Sequence, residues 1–168
     1  SSANQMPASP SYPYYLGGNF IPYRAIEIDN RLAAMNNITP ADMMNLQTSN
    51  YNIFGQWALP VLIRNMEVDK LSPQEKKYFN ILKNWNYRND RDSKGATLFV
   101  VTWDSLETVI WKDEFLKSGL ELPWPDESTL LDDINKYPQF KFFDNINTAI
   151  TETLPDDITA AFKMAAAV

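Results

Sequence analysis

Apolar side chains recur at helical spacing along most of the chain after residue 21. They follow the i, i+3, i+4 and i+7 pattern that places them on one face of an α-helix. The pattern predicts helices over residues 22–35, from residue 39, over 51–66, from 72, over 96–116, around 130 and from 155. It therefore predicts a mainly α fold, an irregular bundle of helices joined by short turns.

Several residues mark where these helices begin and end. Thr39 and Ser72 each precede a proline, the order expected of an N-cap followed by the first helical residue. Glu75, three residues after Ser72, completes a capping box. Gly119 provides a C-terminal stop for the longest helix. Pro60 falls inside the third apolar pattern, and we expect it to kink or divide that helix.

Composition narrows the classes of function. The 168 residues are 45% hydrophobic and 13% aromatic, enough for one domain with a real core. The net charge of −6 argues against a nucleic-acid partner. The absence of Cys and His removes thiolate catalysis, Cys-based zinc sites and the usual base at neutral pH. No apolar run approaches the roughly 18 residues of a membrane span, so no membrane partner is expected.

The chain divides into three stretches by pattern. Residues 1–21 contain three prolines and a Gly-Gly pair and show no period, which predicts an extended arm. Asn4 and Arg24 lie on opposite sides of this loop, where only tertiary packing could hold them side by side. Residues 22–119 form the predicted helical domain. Residues 120–168 form a C-terminal helical extension that opens with a proline-flanked Trp124.

For three further features we favour a structural interpretation over a functional one. Residues 89–95 resemble a calcium loop, but Lys94 and Val101 stand where oxygen ligands are required, so an N-cap and solvated turn is favoured. The aromatic cluster at 137–144 could form a substrate lip or a partner patch, but packing over the bundle is favoured. The acidic pairs at 132–133 and 156–157 are expected to be first-turn or surface charges.

The arm and the first helix together resemble the penicillin acylase family of N-terminal-nucleophile hydrolases. The matching residues are Asn4, the Tyr12-Pro13 pair, Gly17-Gly18 and the sequence RAIEID at 24–29, with Leu32 closing the pattern. The resemblance continues through residues 38–50, 58–63, 71–99 and 103–115. It covers about the first two thirds of the chain.

The resemblance implies a larger parent protein with a four-layer αββα core, from which this helical chain is an excised piece of the β chain. Family members cleave themselves to expose a Ser, Cys or Thr whose own amine serves as base. The resemblance assigns Asn4 as a donor to the oxyanion hole and Arg24 as organiser of the surrounding hydrogen bonds. Ser1 is an unsuitable nucleophile, because it is three residues from Asn4 and cannot orient independently around one carbonyl carbon.

The expected activity of the parent is hydrolysis of linear acyl amides, including β-lactam antibiotics, with the isolated chain inactive. The expected partners are the remainder of the parent polypeptide and the substrate, and the expected location is periplasmic or secreted. No cofactor is expected in this segment, although the resemblance leaves room for a structural calcium elsewhere in the parent. The alternative is a non-catalytic helical interaction module, in which Asn4 caps a turn and Arg24 pairs with Glu27 or Asp29.

Overall fold

The structure is a computed structural model that describes residues 6–9, 11–16 and 21–167. Within these residues the chain forms seven α-helices and no β-strand. The helices are α1 Tyr23–Ala34, α2 Pro40–Gln47, α3 Ile53–Asn65, α4 Pro73–Lys83, α5 Lys94–Lys117, α6 Glu127–Lys136 and α7 Leu154–Ala166. Two short 3-10 helices, Val68–Lys70 and Lys141–Phe143, were not anticipated. The mainly α prediction is confirmed, and so is each helix inferred from the apolar pattern.

The chain separates between Phe54 and Gly55 into two compact units. The division predicted from sequence, at residues 21 and 119, remains a prediction. Among the described residues, no helix is both long and apolar enough to cross a membrane.

The first unit contains α1 and α2, and within its described residues each of these helices buries a single side chain. Ala25 is the buried residue of α1, and Leu46 is that of α2. The rings of Tyr23 and Phe54 lie 5.5 Å apart. Thr39 and Asp42 form a reciprocal capping box, in which the Asp42 carboxylate accepts the Thr39 backbone N–H at 2.8 Å. Capping therefore defines the start of α2, as its sequence predicts.

The second unit is built around α5, which is 24 residues long and has ten buried positions. Its most extensive contact is with α7, followed by α4. Phe79 of α4 and Phe162 of α7 meet edge to face at 6.2 Å. The rings of Trp85 and Phe99 stack at 5.1 Å. This core accounts for most of the fully buried side chains of the described chain.

Pro60 lies within a continuous α3, so the expectation that it divides the helix is wrong, while a kink at this position stays a prediction. The amide that proline lacks would have bonded the carbonyl of residue 56, four positions earlier. Both Gln56 and Pro60 are exposed, so water can satisfy that carbonyl and the helix continues at little cost.

The turn before α5 is an N-cap, as predicted. The Ser93 hydroxyl accepts the Ala96 backbone N–H at 3.2 Å. A Cβ added at Gly95 would lie 2.7 Å from the Cβ of Trp85, so this glycine allows the turn to approach the indole. At the other end of α5, Gly119 has a φ of 68°, the left-handed conformation of a C-terminal stop.

The aromatic cluster at 137–144 packs against the bundle, as favoured. Phe140 and Phe142 lie 5.9 and 5.1 Å from the Trp111 ring. Phe143 is buried. These contacts fix the connection between α6 and α7 on one end of α5.

Candidate functional site

Arg24 is the predicted site residue that the structure describes, and it lies in the first turn of α1. The helix begins after Pro22, whose carbonyl accepts the Ile26 backbone N–H at 2.9 Å. The adjacent Ala25 is 2% exposed. Because successive helical residues are rotated by about 100°, burial of Ala25 turns Arg24 outward. The Arg24 side chain is accordingly exposed.

The nearest acidic residue along the helix, Glu27, has other partners. Its Oε1 accepts a hydrogen bond from the Ser49 hydroxyl at 2.8 Å. The same oxygen lies 3.7 Å from the Arg31 guanidinium. Within the described residues, no carboxylate lies within 4.0 Å of the Arg24 guanidinium. The Arg24–Glu27 pair, one of the two pairings that the interaction-module alternative offers beside Arg24–Asp29, is therefore not observed.

The other predicted catalytic residue, Asn4, lies outside the described residues, as do Ser1 and the Gly17-Gly18 pair. Part of the arm that follows Asn4 is described. The Tyr12 backbone N–H donates to the Ser9 carbonyl at 3.0 Å, which closes a turn. Beyond this turn the side chains of Tyr14 and Tyr15 are exposed. The assignments of Asn4 and Arg24 both remain predictions.

Two buried carboxylates were missed by the sequence reasoning. Asp157 is 4% exposed, although the acidic pair at 156–157 was expected to provide first-turn or surface charges. Asp157 does lie in the first turn of α7, as expected, but on the side of that turn that is buried, whereas Asp156 is part exposed. Asp113, three residues after Ile110 at the C-terminal end of the apolar stripe on α5, is 8% exposed. A charged residue at a stripe position was the one signal that could have identified Asp113.

Burial and neighbouring negative charges raise the pKa of two carboxyl groups, those of Asp157 and Glu114. Burial raises the pKa of Asp157 to about 8, and the negative charges of Glu152, Asp156, Asp113 and Asp144 add to the effect. Burial also raises the pKa of Glu114 to about 7, helped by a hydrogen bond with Asp113. These carboxyl groups can therefore hold protons near neutral pH, a property that is frequent at functional sites and also found in structural networks.

A second group of carboxylates lies between α5 and α6. The Trp103 indole donates to Glu107 at 2.9 Å. Burial raises the pKa of Glu127 to about 7, and Glu107 is the largest charged contributor to that shift. Among the described residues, no cluster of three or more acidic, His or Cys side chains has the geometry of a metal site.

An open groove of about 660 Å³ runs along the end of α5 and the segment that follows it. Four of its lining side chains are large, apolar and exposed: Leu116, Leu120, Leu122 and Trp124. Lys112 and Glu121 contribute charge at its edge. These exposed apolar side chains make the groove suited to an apolar partner.

The model of the family described as penicillin amidase matches residues 1–168, well beyond the two thirds covered by the motifs. No curated protein and no solved structure matches the chain. The match spans both compact units, including α6 and α7. The chain belongs to the penicillin amidase family.

Proposed function

We propose that this chain is a supporting segment of a penicillin-acylase-like amidohydrolase, to which it contributes Asn4 as an oxyanion donor and Arg24 as an organiser of the site. Family membership over residues 1–168 is the observation that carries the proposal. The nucleophile is supplied by a different stretch of polypeptide. Alone, the chain is inactive, because an oxyanion donor without a nucleophile supplies only part of the stabilisation of the transition state.

The chemistry assigned to Asn4 is donation of its side-chain N–H to the oxygen of the tetrahedral intermediate. Attack by a Ser, Thr or Cys on an amide carbonyl places a negative charge on that oxygen. A preorganised amide donor stabilises the charge as it develops and does not need to reorganise. Asn4 lies near the start of the predicted arm, at the position that matches the Asn of the family pattern.

The environment of Arg24 supports a role toward an anion. The first turn of α1 has no acidic residue, and a cation at the positive end of a helix is disfavoured by about 0.3–1 kcal/mol. Since Glu27 is directed to Arg31 and Ser49, the five guanidinium donors of Arg24 have no carboxylate among the described residues. A carboxylate or oxyanion of a bound substrate would offset this local cost.

The substrate class follows the family: an amide that joins an acyl group to a small amine, including N-acylated β-lactams. The partner is the remainder of a self-processing polypeptide in the periplasm or outside the cell. The open groove beside Trp124 favours the second candidate function, a helical module that binds a protein partner through exposed apolar side chains. Turnover by the parent protein separates the two.

The decisive experiment is Asn4→Ala in the full polypeptide that carries this segment. With a chromogenic phenylacetyl anilide and an aliphatic acyl anilide as probes, turnover should fall by about a hundredfold or more, the typical cost of one oxyanion donor. Asn30→Ala, on the exposed face of α1, is the matched control and should leave turnover unchanged. Near-normal turnover in a folded Asn4→Ala protein would remove Asn4 from the mechanism.

Arg24 is tested beside Arg31 on the same helix. Arg24→Ala should lower kcat/KM, and Arg24→Lys should restore little, because a lysine lacks the planar bidentate fork. Arg31→Ala, which removes only the pair with Glu27, should leave the kinetics near normal. Equal losses for the two alanine variants would indicate a structural role for both.

Self-processing is tested by intact mass. Expression of the full parent gene should yield two chains, the heavier beginning with Ser, Thr or Cys upstream of this segment. A single unprocessed chain would favour the interaction module.

A further inference from the structure

The open groove at the end of α5 is bordered by a turn that its own hydrogen bonds close. The Ser118 hydroxyl donates to the Phe115 carbonyl at 2.7 Å and accepts the Leu120 backbone N–H at 3.1 Å. The Leu122 N–H donates to the Leu120 carbonyl at 3.0 Å. The turn is thus well hydrogen-bonded, yet Leu120 is 65% exposed, and the other apolar members of the groove, Leu116, Leu122 and Trp124, are exposed as well.

A group of carboxylates continues this face toward α6, and we call it the acidic edge. Its members are Asp104 and Glu107 on α5 and Asp126 and Glu127 at the start of α6. Asp104 precedes Thr108 of the groove lining by four residues, so the two lie on one side of α5. Glu127 follows Trp124 of the groove by three residues. The acidic edge therefore borders the groove.

The negative charge of the acidic edge is not balanced within the described part of the chain. The charged groups that raise the pKa of Glu127 are Glu107, Asp126 and Asp104, all of them acidic. Among the residues that the structure describes, no Lys or Arg lies within 4.0 Å of the carboxylates of Asp104, Glu107 or Glu127.

The imbalance is confined to one region of the sequence. Residues 103–133 contain nine acidic and two basic residues, whereas the rest of the chain contains twelve acidic and thirteen basic residues. Within the groove itself, Lys112 and Glu121 offset each other in charge. The face that combines the groove and the acidic edge is therefore both apolar and negatively charged.

These two properties determine the chemistry of an occupant. A second copy of this chain would place the same acidic face on both sides of a symmetric contact, and like charges across a contact repel. A segment with apolar side chains beside Lys or Arg would fill the groove and neutralise the acidic edge. The charge therefore favours a basic partner over a second copy.

The size of the groove favours an occupant from the same polypeptide. Four large apolar side chains are far fewer than the roughly 20–30 residues that each side contributes to a stable interface between separate proteins. A covalently connected segment needs less contact, because its effective concentration reaches the order of millimolar.

We propose that the groove and the acidic edge dock a basic, amphipathic segment of the parent polypeptide that lies outside residues 1–168. The apolar side chains of that segment cover Leu116, Leu120 and Trp124, and its Lys or Arg side chains pair with Asp104 and Glu127. This inference rests on the proposed function in one respect, namely that the chain is part of a longer polypeptide.

Site-specific photo-cross-linking in the full polypeptide that carries this segment tests the docking. With p-benzoylphenylalanine in place of Leu120, irradiation should join this position to a peptide outside residues 1–168 of the same molecule. Tandem mass spectrometry identifies the peptide, which should carry Lys or Arg next to apolar residues. Met44 on α2, which is 67% exposed, is the matched control position and should not join to that peptide. Should the Leu120 variant fail to fold, Leu122 is the second position for the cross-linker.

Charge reversal tests the role of the acidic edge. Asp104 is exposed, so a substitution there is tolerated by the fold. Asp104→Lys should lower the yield of the Leu120 cross-link by about fivefold or more, because like charges then meet across the contact. Asp132→Lys, at a 66% exposed carboxylate of α6 outside the acidic edge, is the matched control and should change the yield by less than about twofold.

A Leu120 cross-link to a second copy, to a separate protein or to no peptide outside residues 1–168 would overturn the inference. An unchanged yield in folded Asp104→Lys would overturn it as well. Cross-links are read from mass and not from turnover, so their absence in a longer gene product leaves the roles of Asn4 and Arg24 untouched. A gene product confined to residues 1–168, which intact mass identifies, would overturn this inference and the proposed function together.

Discussion

The two compact units differ in how their helices are held. In the second unit, α5 and α7 bury ten and seven residues, among them Phe162 and Leu106 at 0% exposure. In the first unit, α1 and α2 each bury one residue. The first unit nevertheless carries both predicted site residues. Segments that bind or react are commonly drawn from the less stable parts of a fold, and the roles proposed for Asn4 and Arg24 fall in the more lightly packed of the two units.

The strongest test of this contrast is a large-to-small substitution in each unit. Phe162→Ala should lower the free energy of unfolding by about 3–5 kcal/mol, because it opens a cavity beside Phe79. Leu32→Ala in α1, at a partly exposed position, should cost about 1 kcal/mol or less. Denaturant titration of both variants measures the difference. Equal losses would show that α1 is as well packed as α7.

The next largest loss of stability is expected from overpacking at Gly95, in the second unit. An alanine Cβ there would lie 2.7–2.8 Å from three atoms of the Trp85 side chain, which stacks on Phe99 and cannot easily retreat. Gly95→Ala should destabilise by about 1–3 kcal/mol despite the higher helix propensity of alanine. Thermal unfolding with Trp fluorescence reports both the loss and the disturbed indole. Increased stability would mean that Trp85 moves freely.

Loss of a helix cap should have a smaller effect, which is local in the first unit and global in the second. Thr39→Ala and Ser72→Ala each remove a side-chain cap, at a cost of about 1 kcal/mol. Because α2 buries one residue, Thr39→Ala should increase amide exchange within α2 alone. The loss from Ser72→Ala should appear in global unfolding, since α4 packs on α5. Exchange measured helix by helix checks this; a uniform increase for Thr39→Ala would contradict the contrast.

The smallest effect is acid sensitivity of the same two caps. Hydrogen bonds from Thr39 and from Ser72 lower the pKa of Asp42 and of Glu75. A lowered carboxyl pKa stabilises the fold above the ordinary values of 3.8 and 4.5, and this contribution is lost as the pH falls through the lowered value. Asp42→Asn and Glu75→Gln should each flatten the decline in helicity, followed by circular dichroism, below about pH 4. A decline as steep as that of the unsubstituted chain would exclude the caps as its source.

A feature of the fold could be predicted from the sequence when the residues that cause it lie close together along the chain. The cap of α4 depends on Ser72 and Glu75, three residues apart, and was visible in the sequence. The C-terminal stop at Gly119 and the apolar stripe of α5 likewise depend on residues close together in the sequence. Asp157 lies four residues before the buried Ala161, on the apolar face of α7, so its own helix did distinguish it from Asp156, and the acidic pair was wrongly treated as one. The prediction for Pro60 considered only the backbone hydrogen bond that a proline cannot make. The solvent exposure of Gln56 and Pro60, which makes the loss of that hydrogen bond tolerable, depends on the tertiary structure.

The candidate site divides in the same way. The position of Arg24 in the first turn of α1 could be read from Pro22 and the apolar spacing that follows it. The hydrogen bond from Ser49 to Glu27 joins residues 22 positions apart, so it could not be predicted from the sequence. The family resemblance added what neither spacing nor composition contains, namely which amide and which guanidinium to consider.

The pairing of α5 with α7 also has a consequence for how the chain is made. On the ribosome, the last residue of α7 is added 49 residues after the last residue of α5, as the helix bounds show. At a synthesis rate of about 5–20 residues per second, the apolar face of α5 waits roughly 2–10 seconds for its principal partner. During that interval the nascent chain exposes Phe99, Leu106 and Ile110, side chains that are almost fully buried once α7 has packed. Translation speed through α6 and the connection to α7 therefore sets how long this surface is open to chaperones and to aggregation.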